Sequence, residues 1–135
     1  MKRMLLMLLS MALCLGMSGC GGRESAAEAP AYRQIDQETA RQMMAKDDGH
    51  VIVDVRRQDE YDAGHIPGAI LIPNETIGAA RPEALPDPNQ VILVYCRSGN
   101  RSKQASEKLA ALGYANIYEF GGINTWTGEI TAGEQ

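Results

Sequence analysis

Cys96 and the residues that follow it are the part of the sequence best suited to covalent chemistry. Arg97, Gly99 and Arg101 all lie within five positions of this cysteine. The thiolate is the nucleophilic form of cysteine, and a helix N-terminus or nearby cations lower the pKa of a thiol from about 8.5 to about 3.5–7.5. A glycine lets such a loop curl so that its backbone N–H groups converge on an anion. We therefore predict a reactive thiolate beneath an anion pocket, rather than an inert buried cysteine.

The patterns on either side of Cys96 place it at the end of a buried strand. Residues 91–95 form the strongest strand pattern in the chain, and residues 102–112 form the clearest helix. From Tyr32 onward helical and strand patterns alternate, which is typical of an α/β domain with a parallel sheet. Open sheets of this class bind ligands just beyond the carboxyl ends of their strands. The loop at Cys96 is therefore where a site is expected.

Weaker patterns predict the remaining elements. They are a helix capped by Asp36 and running to about Lys46, a strand at 51–55, a helical turn at 59–63, a strand at 69–72, an irregular helix within 74–85, a strand at 117–120 and a short terminal helix containing Trp126.

Four motifs in order resemble those of the rhodanese-type sulfurtransferases. They are Val-Asp-Val-Arg at 53–56 with Glu-Tyr at 60–61, Gly-His-Ile-Pro-Gly-Ala at 64–69, Cys-Arg-Ser-Gly-Asn-Arg-Ser at 96–102, and Gly-Gly-Ile at 121–123 followed by Trp126. The resemblance implies a three-layer α/β fold with a central five-stranded, mainly parallel sheet flanked by helices. It places this rhodanese-like domain at residues 32–130 and leaves residues 131–135 as a disordered tail.

The resemblance also implies sulfur transfer through a persulfide on Cys96, with no cofactor. The donor would be a small anion such as thiosulfate, and the acceptor cyanide, a thiol or a protein sulfur acceptor. Donor binding falls to the loop residues Arg97, Ser98, Gly99, Asn100, Arg101 and Ser102, the two arginines orienting the anion. Asp54 and Arg56 are expected to form a structural ion pair near the site, and His65 is expected to hydrogen-bond a loop.

Other functions remain open at this point. A cysteine phosphatase or arsenate reductase also uses a thiolate in an anion-binding loop, but those families place an arginine six positions after the cysteine. Here that position is Ser102, and Arg101 comes one residue early. Rhodanese-like domains also serve as non-catalytic interaction modules, which usually lack the cysteine. A third alternative is a sulfur or redox relay that hands persulfide sulfur to a specific partner.

The first 19 residues have the features of an export signal. Lys2 and Arg3 precede an apolar run over 4–17, which is shorter than the roughly 20 residues a membrane-spanning helix needs. The run ends in Ser-Gly-Cys at 18–20, which resembles a bacterial lipobox. We therefore predict cleavage before Cys20, lipidation of that cysteine and a flexible tether over 20–31. The domain would then be anchored to a bacterial membrane and face the periplasm or the cell exterior.

Composition and residue spacing argue against binding to nucleic acid and to a metal ion. The chain is 44% hydrophobic, as expected for a globular domain, and its formal net charge is −4. It contains no basic stripe, so we expect no nucleic-acid binding, which requires clustered Lys and Arg. His50 and His65 are its only histidines and do not lie at metal-ligand spacing from a cysteine, so no metal site is expected.

Overall fold

The computed structural model describes residues 31–133. The predictions of an export signal, of lipidation at Cys20 and of a tether up to residue 30 lie outside the described residues, as do the last two residues. The elements are strands β1 (Arg33–Gln34), β2 (Val51–Asp54), β3 (Ile70–Leu71), β4 (Val91–Cys96) and β5 (Asn116–Gly122), and helices α1 (Gln37–Met44), α2 (Gln58–Ala63) and α3 (Asn100–Ala111). In residues 31–133 no helix has the length and apolar character needed to cross a membrane.

The five strands form one sheet in the order β1-β5-β4-β2-β3, and every strand pair is parallel. This confirms the predicted α/β architecture. β4 is the central strand, with Val94 opposite Glu119 of β5 and Tyr95 opposite Asp54 of β2. All residues of β4 after Val91 are buried, which explains its unbroken apolar pattern.

Helices cover both faces of the sheet. α1 packs on one face through Ala40 and Met43, and α3 packs on the other through Ala105 and Leu109. Asp36 caps α1 as predicted, because its Oδ1 accepts a hydrogen bond of 2.7 Å from the backbone N–H of Thr39. The two helices fix the sheet between two apolar layers and leave the carboxyl ends of its strands at one edge.

Two predicted helices are wrong. The helix expected within 74–85 is only a single 3-10 turn at Asn74–Thr76. The segment continues irregularly to Leu85, which is fully buried and whose carbonyl accepts a hydrogen bond from the Tyr114 hydroxyl. The terminal helix is likewise one 3-10 turn, at Ile123–Thr125, and Trp126 follows it. Gly78 and Pro82 interrupt helix propagation in the first case, and the second segment ends after one turn.

The structure adds a strand near the start of the predicted domain and hydrogen bonds beyond residue 130 at its end. β1 was not predicted, because its two exposed residues become a strand only by pairing with β5. At the other end, Thr131 pairs with the backbone of His65, and the N–H of Gly133 donates to the carbonyl of Asp62. Hydrogen bonding to the domain thus continues through residue 133, beyond the predicted end at 130.

Candidate active site

Cys96 is the last residue of β4, and its side chain lies in the cradle formed by the following loop. The residue is 1% exposed. Gly99 adopts φ +109°, a conformation that favours glycine, and this turn directs its backbone N–H at the Cys96 sulfur, 3.0 Å away. α3 begins directly after Gly99, at Asn100, which is two residues before the predicted start of this helix at residue 102. The sulfur therefore faces both a turned loop and a helix N-terminus.

The surroundings of Cys96 lower the pKa of its thiol. Burial, the largest single influence, raises that pKa because it disfavours the charged thiolate. The hydrogen bond between Cys96 and the Ser102 hydroxyl and those from the backbone N–H groups of Ser102, Gly99 and Ser98 act in the opposite direction and together outweigh burial. The donors of the loop thus favour an anion at the sulfur.

Close backbone packing holds the loop against β5. The carbonyl of Arg97 lies over Gly122, where a Cβ atom would come within 2.0 Å of the carbonyl oxygen. The same oxygen accepts a hydrogen bond of 3.1 Å from the N–H of Asn124. This contact explains why position 122 requires a glycine.

The two arginines of the loop have different environments. Arg101 forms a bidentate pair with Glu60 of α2, with N–O distances of 2.7 and 2.9 Å. The hydrogen bonds from Arg101 are the main reason that the pKa of Glu60 falls to about 2. Arg97 is exposed, as are Ser98 and Asn100. The positive charge of Arg101 is therefore shared with a carboxylate, whereas the side chain of Arg97 lies in solvent.

Ser102 connects Cys96 to a carboxylate that sequence analysis missed. Its hydroxyl oxygen lies 3.4 Å from the Cys96 sulfur, 2.9 Å from the carbonyl oxygen of Gly99 and 2.6 Å from Oε1 of Glu119. Glu119 comes from β5, is 3% exposed, and also accepts a 2.8 Å hydrogen bond from the N–H of Gly121. A single carboxylate within the otherwise apolar stretch 117–120 was the available signal.

The buried ion pair predicted next to the site is present. Nη2 of Arg56 lies 2.7 Å from Oδ2 of Asp54, and both side chains are buried. The same carboxylate accepts a 2.7 Å hydrogen bond from the Tyr95 hydroxyl, which in turn accepts one from the backbone N–H of Ile66. This network ties β2 and β4 to the loop after α2, so its role is structural.

His65 also makes structural contacts. Its ring stacks on Tyr61 at a centroid distance of 3.7 Å, and its Nδ1 lies 2.8 Å from the Tyr61 carbonyl oxygen. A carbonyl oxygen can only accept, so Nδ1 carries a proton in this contact. This matches the predicted loop hydrogen bond. Among residues 31–133, no three His, Cys, Asp or Glu side chains form a group suited to a metal ion.

Comparison with known proteins agrees with this geometry. A model of the rhodanese-like domain family matches residues 36–129. Thiosulfate sulfurtransferase PspE from Escherichia coli is 38% identical over 71 residues, which cover 53% of this chain and 68% of that protein. The putative sulfur carrier protein YrkF from Bacillus subtilis is 31% identical over 110 residues, covering 81% of this chain and 58% of that protein.

Solved structures give the same result. A rhodanese with anions from E. coli superposes with a TM-score of 0.56 at 33% identity, covering 62% of this chain and 99% of that one. The family match spans all four sequence motifs, and the sheet and cysteine loop described above lie within it. The chain therefore belongs to the rhodanese-like domain family.

Proposed function

We propose that this protein is a sulfurtransferase that carries sulfane sulfur on Cys96 as a persulfide. One observation carries the proposal: the Cys96 sulfur is buried at a strand end, where the Gly99 N–H lies 3.0 Å away and the pKa of the thiol is lowered. A thiosulfate sulfurtransferase that is 38% identical and a putative sulfur carrier protein that is 31% identical support the same reaction class. A cysteine with only a packing role does not need surrounding groups that stabilise its thiolate.

The proposed reaction has two half-reactions. The Cys96 thiolate forms a bond to the outer sulfur of a donor such as thiosulfate, while the bond between the two donor sulfurs breaks. Sulfite leaves with that electron pair, and Cys96 becomes a persulfide anion. An acceptor nucleophile, cyanide or a thiolate, then attacks the outer persulfide sulfur and returns the electron pair to Cys96. This is covalent catalysis, so we expect ping-pong kinetics.

The loop supplies electrostatic stabilisation in both half-reactions. Backbone N–H groups and the N-terminus of α3 surround the sulfur, where they can hold first the donor anion and then the persulfide. Arg101 already shares its charge with Glu60, so we assign donor steering to the exposed Arg97 and positioning of the loop to Arg101. The sequence resemblance gave both arginines the role of orienting the donor anion, whereas this proposal gives that role to Arg97 alone.

The test is the intact mass of the purified protein after incubation with thiosulfate. We expect a gain of about one sulfur atom, about 32 Da, that cyanide or dithiothreitol removes, as the covalent intermediate requires. The Cys96→Ser variant should show no gain, because its hydroxyl cannot form a persulfide. On the chain produced without export, which keeps its first 19 residues, Cys14→Ser is the matched control and should load sulfur like the unmodified chain. A gain that survives in Cys96→Ser would contradict the proposal.

A sulfur relay is the second candidate function. It is favoured by the match to a putative sulfur carrier protein, which covers 81% of this chain. A relay would take its sulfur from another protein or from a low-molecular-weight persulfide. Loading of Cys96 by a persulfide donor but not by thiosulfate would select the relay. If no sulfane-sulfur donor loads Cys96 although Cys96 can still be alkylated, the sulfur-transfer functions are rejected. A non-catalytic interaction module or a cysteine phosphatase would then be the remaining candidates.

We further propose that the protein is exported and anchored to a membrane through lipid on Cys20. The proposal rests on the charged start, the apolar run over 4–17 and the small residues before Cys20. Expression with labelled palmitate in a bacterial host should label the protein and place it in the membrane fraction. Cys20→Ala should abolish labelling, and Cys14→Ala should retain it. Equal labelling of the Cys20→Ala variant would reject the assignment.

A further inference from the structure

Glu119 is a buried carboxylate that the sulfur-transfer mechanism above does not use. It is 3% exposed, and the ion pairs among residues 31–133 do not include it. Its Oε1 accepts from the Ser102 hydroxyl at 2.6 Å and from the Gly121 N–H at 2.8 Å. Its Oε1 therefore faces two hydrogen-bond donors, and one of them, the Ser102 hydroxyl, also faces the Cys96 sulfur.

Ser102 places this carboxylate one hydroxyl away from the Cys96 sulfur. A serine hydroxyl carries one proton, and both Glu119 and a Cys96 thiolate need that proton. In the structure the shorter contact, 2.6 Å, goes to Glu119, and the thiol donates its own proton toward the Ser102 oxygen at 3.4 Å. The geometry is therefore that of a thiol and a carboxylate linked through one shared hydroxyl.

We propose that Glu119 is a positioning residue that accepts the proton of Cys96 through Ser102. The thiol proton moves to the Ser102 oxygen as the Ser102 hydroxyl proton moves to Oε1 of Glu119. One S–H bond and one O–H bond break, and two O–H bonds form. Cys96 is left as a thiolate that receives a hydrogen bond from Ser102, and Glu119 becomes a neutral carboxylic acid. The buried pair keeps a single negative charge throughout.

The other titratable groups around the pair leave this exchange intact. From α3, the Arg101 cation interacts with Cys96, although hydrogen bonding to Glu60 is the main reason that the pKa of Arg101 is raised. Near β1, burial is the main cause that raises the pKa of Tyr32, with smaller contributions from the carboxylates of Glu107 and Glu119. Arg101 thus favours the thiolate, while Tyr32 places no cation beside Glu119.

The inference rests on the proposed function, since it explains how the nucleophile of sulfur transfer forms in a buried site. Its test measures ionisation and not sulfur transfer, so the two proposals can fail separately. Two groups that share one proton titrate in two macroscopic steps that belong to the pair. The rate of Cys96 alkylation by iodoacetamide, quantified on the Cys96 peptide by mass spectrometry, should therefore rise with pH in two steps.

The Glu119→Gln variant should turn this profile into one step lying between the two. Gln keeps an oxygen that can accept from Ser102 and Gly121, but it takes up no proton. Above that step the variant should alkylate faster than the unmodified chain, because no second anion opposes the thiolate. Glu107→Gln, which neutralises an exposed carboxylate on α3, is the matched control and should keep two steps. A single step in the unmodified chain overturns the proposal.

A second measurement needs no variant that could misfold. Infrared difference spectra of the unmodified chain before and after alkylation of Cys96 report the carboxylic-acid C=O stretch. Alkylation removes the thiolate, so Glu119 should ionise and the C=O band should decrease. Unchanged carboxyl absorption on alkylation, across the pH range in which Cys96 becomes reactive, contradicts the proposal. The Cys96→Ser variant treated identically should show no change, and this defines the background.

Discussion

A Gly122→Ala variant should load sulfur on Cys96 about 100-fold more slowly than the unmodified chain. The added Cβ would lie 2.0 Å from the carbonyl oxygen of Arg97, and such contacts are not found below 3.0 Å, so the loop must move by about 1 Å or more. A displacement of that size in a catalytic group costs on the order of 10²-fold in rate. The rate of mass gain with thiosulfate measures the loss.

Gly78→Ala provides the matched control for this substitution. A Cβ at Gly78 has no atom within 4 Å, and Gly78 is not among the glycines with positive φ. It should load sulfur at the normal rate. The circular dichroism spectrum of Gly122→Ala should remain that of a folded α/β domain, because overpacking of this kind costs about 1–3 kcal/mol against a typical domain stability of about 5–15 kcal/mol. Normal loading by a folded Gly122→Ala variant would show that the loop position does not control the chemistry.

An Asp54→Ala variant should lose about 3–5 kcal/mol of unfolding free energy. Asp54 is fully buried and accepts hydrogen bonds from the backbone and guanidinium of Arg56 and from the hydroxyl of Tyr95. Its removal leaves the Arg56 guanidinium, 5% exposed, without its carboxylate. An uncompensated buried charge is the costly outcome. Urea unfolding followed by circular dichroism measures the change.

Two companion variants show whether the unpaired charge is responsible. Asp59→Ala removes the carboxylate of an exposed pair with Arg57 and should leave the urea midpoint nearly unchanged. Asp54→Ala combined with Arg56→Met removes both charges and should recover part of the lost stability. The double variant could instead lose at least as much unfolding free energy as Asp54→Ala. In that case the loss comes from packing and not from the isolated guanidinium.

The elements that sequence predicted correctly are those whose signals are local. β4 shows a continuous apolar run, and α1 has both a capping Asp36 and periodic apolar residues, so each could be placed before its partners were known. β1 has two exposed residues and is a strand only because Arg33 lies beside Tyr118. The stretch 74–85 contains enough helix-forming residues to suggest a helix, but its conformation is decided by the burial of Leu85 under Tyr114.

The same distinction holds for the site. Cys96 and its loop could be predicted, because the cysteine, glycine and arginines that create an anion pocket are adjacent in the chain. The partner of Arg101 could not be predicted by spacing alone, since Glu60 lies 41 residues earlier on another helix. Glu119 was missed for the same reason: its proximity to Ser102 depends on how β5 packs against α3.

The pairing of β1 with β5 also sets the order in which the protein can fold. The partner of Arg33 is Tyr118, 85 residues later, so this edge of the sheet cannot close until residue 118 has been made. At about 5–20 residues per second, that delay is about 4–17 s of synthesis. Parallel sheets built from such distant contacts also fold slowly once complete. The sheet therefore stays incomplete through most of synthesis, and the export proposed above requires a chain that has not yet folded.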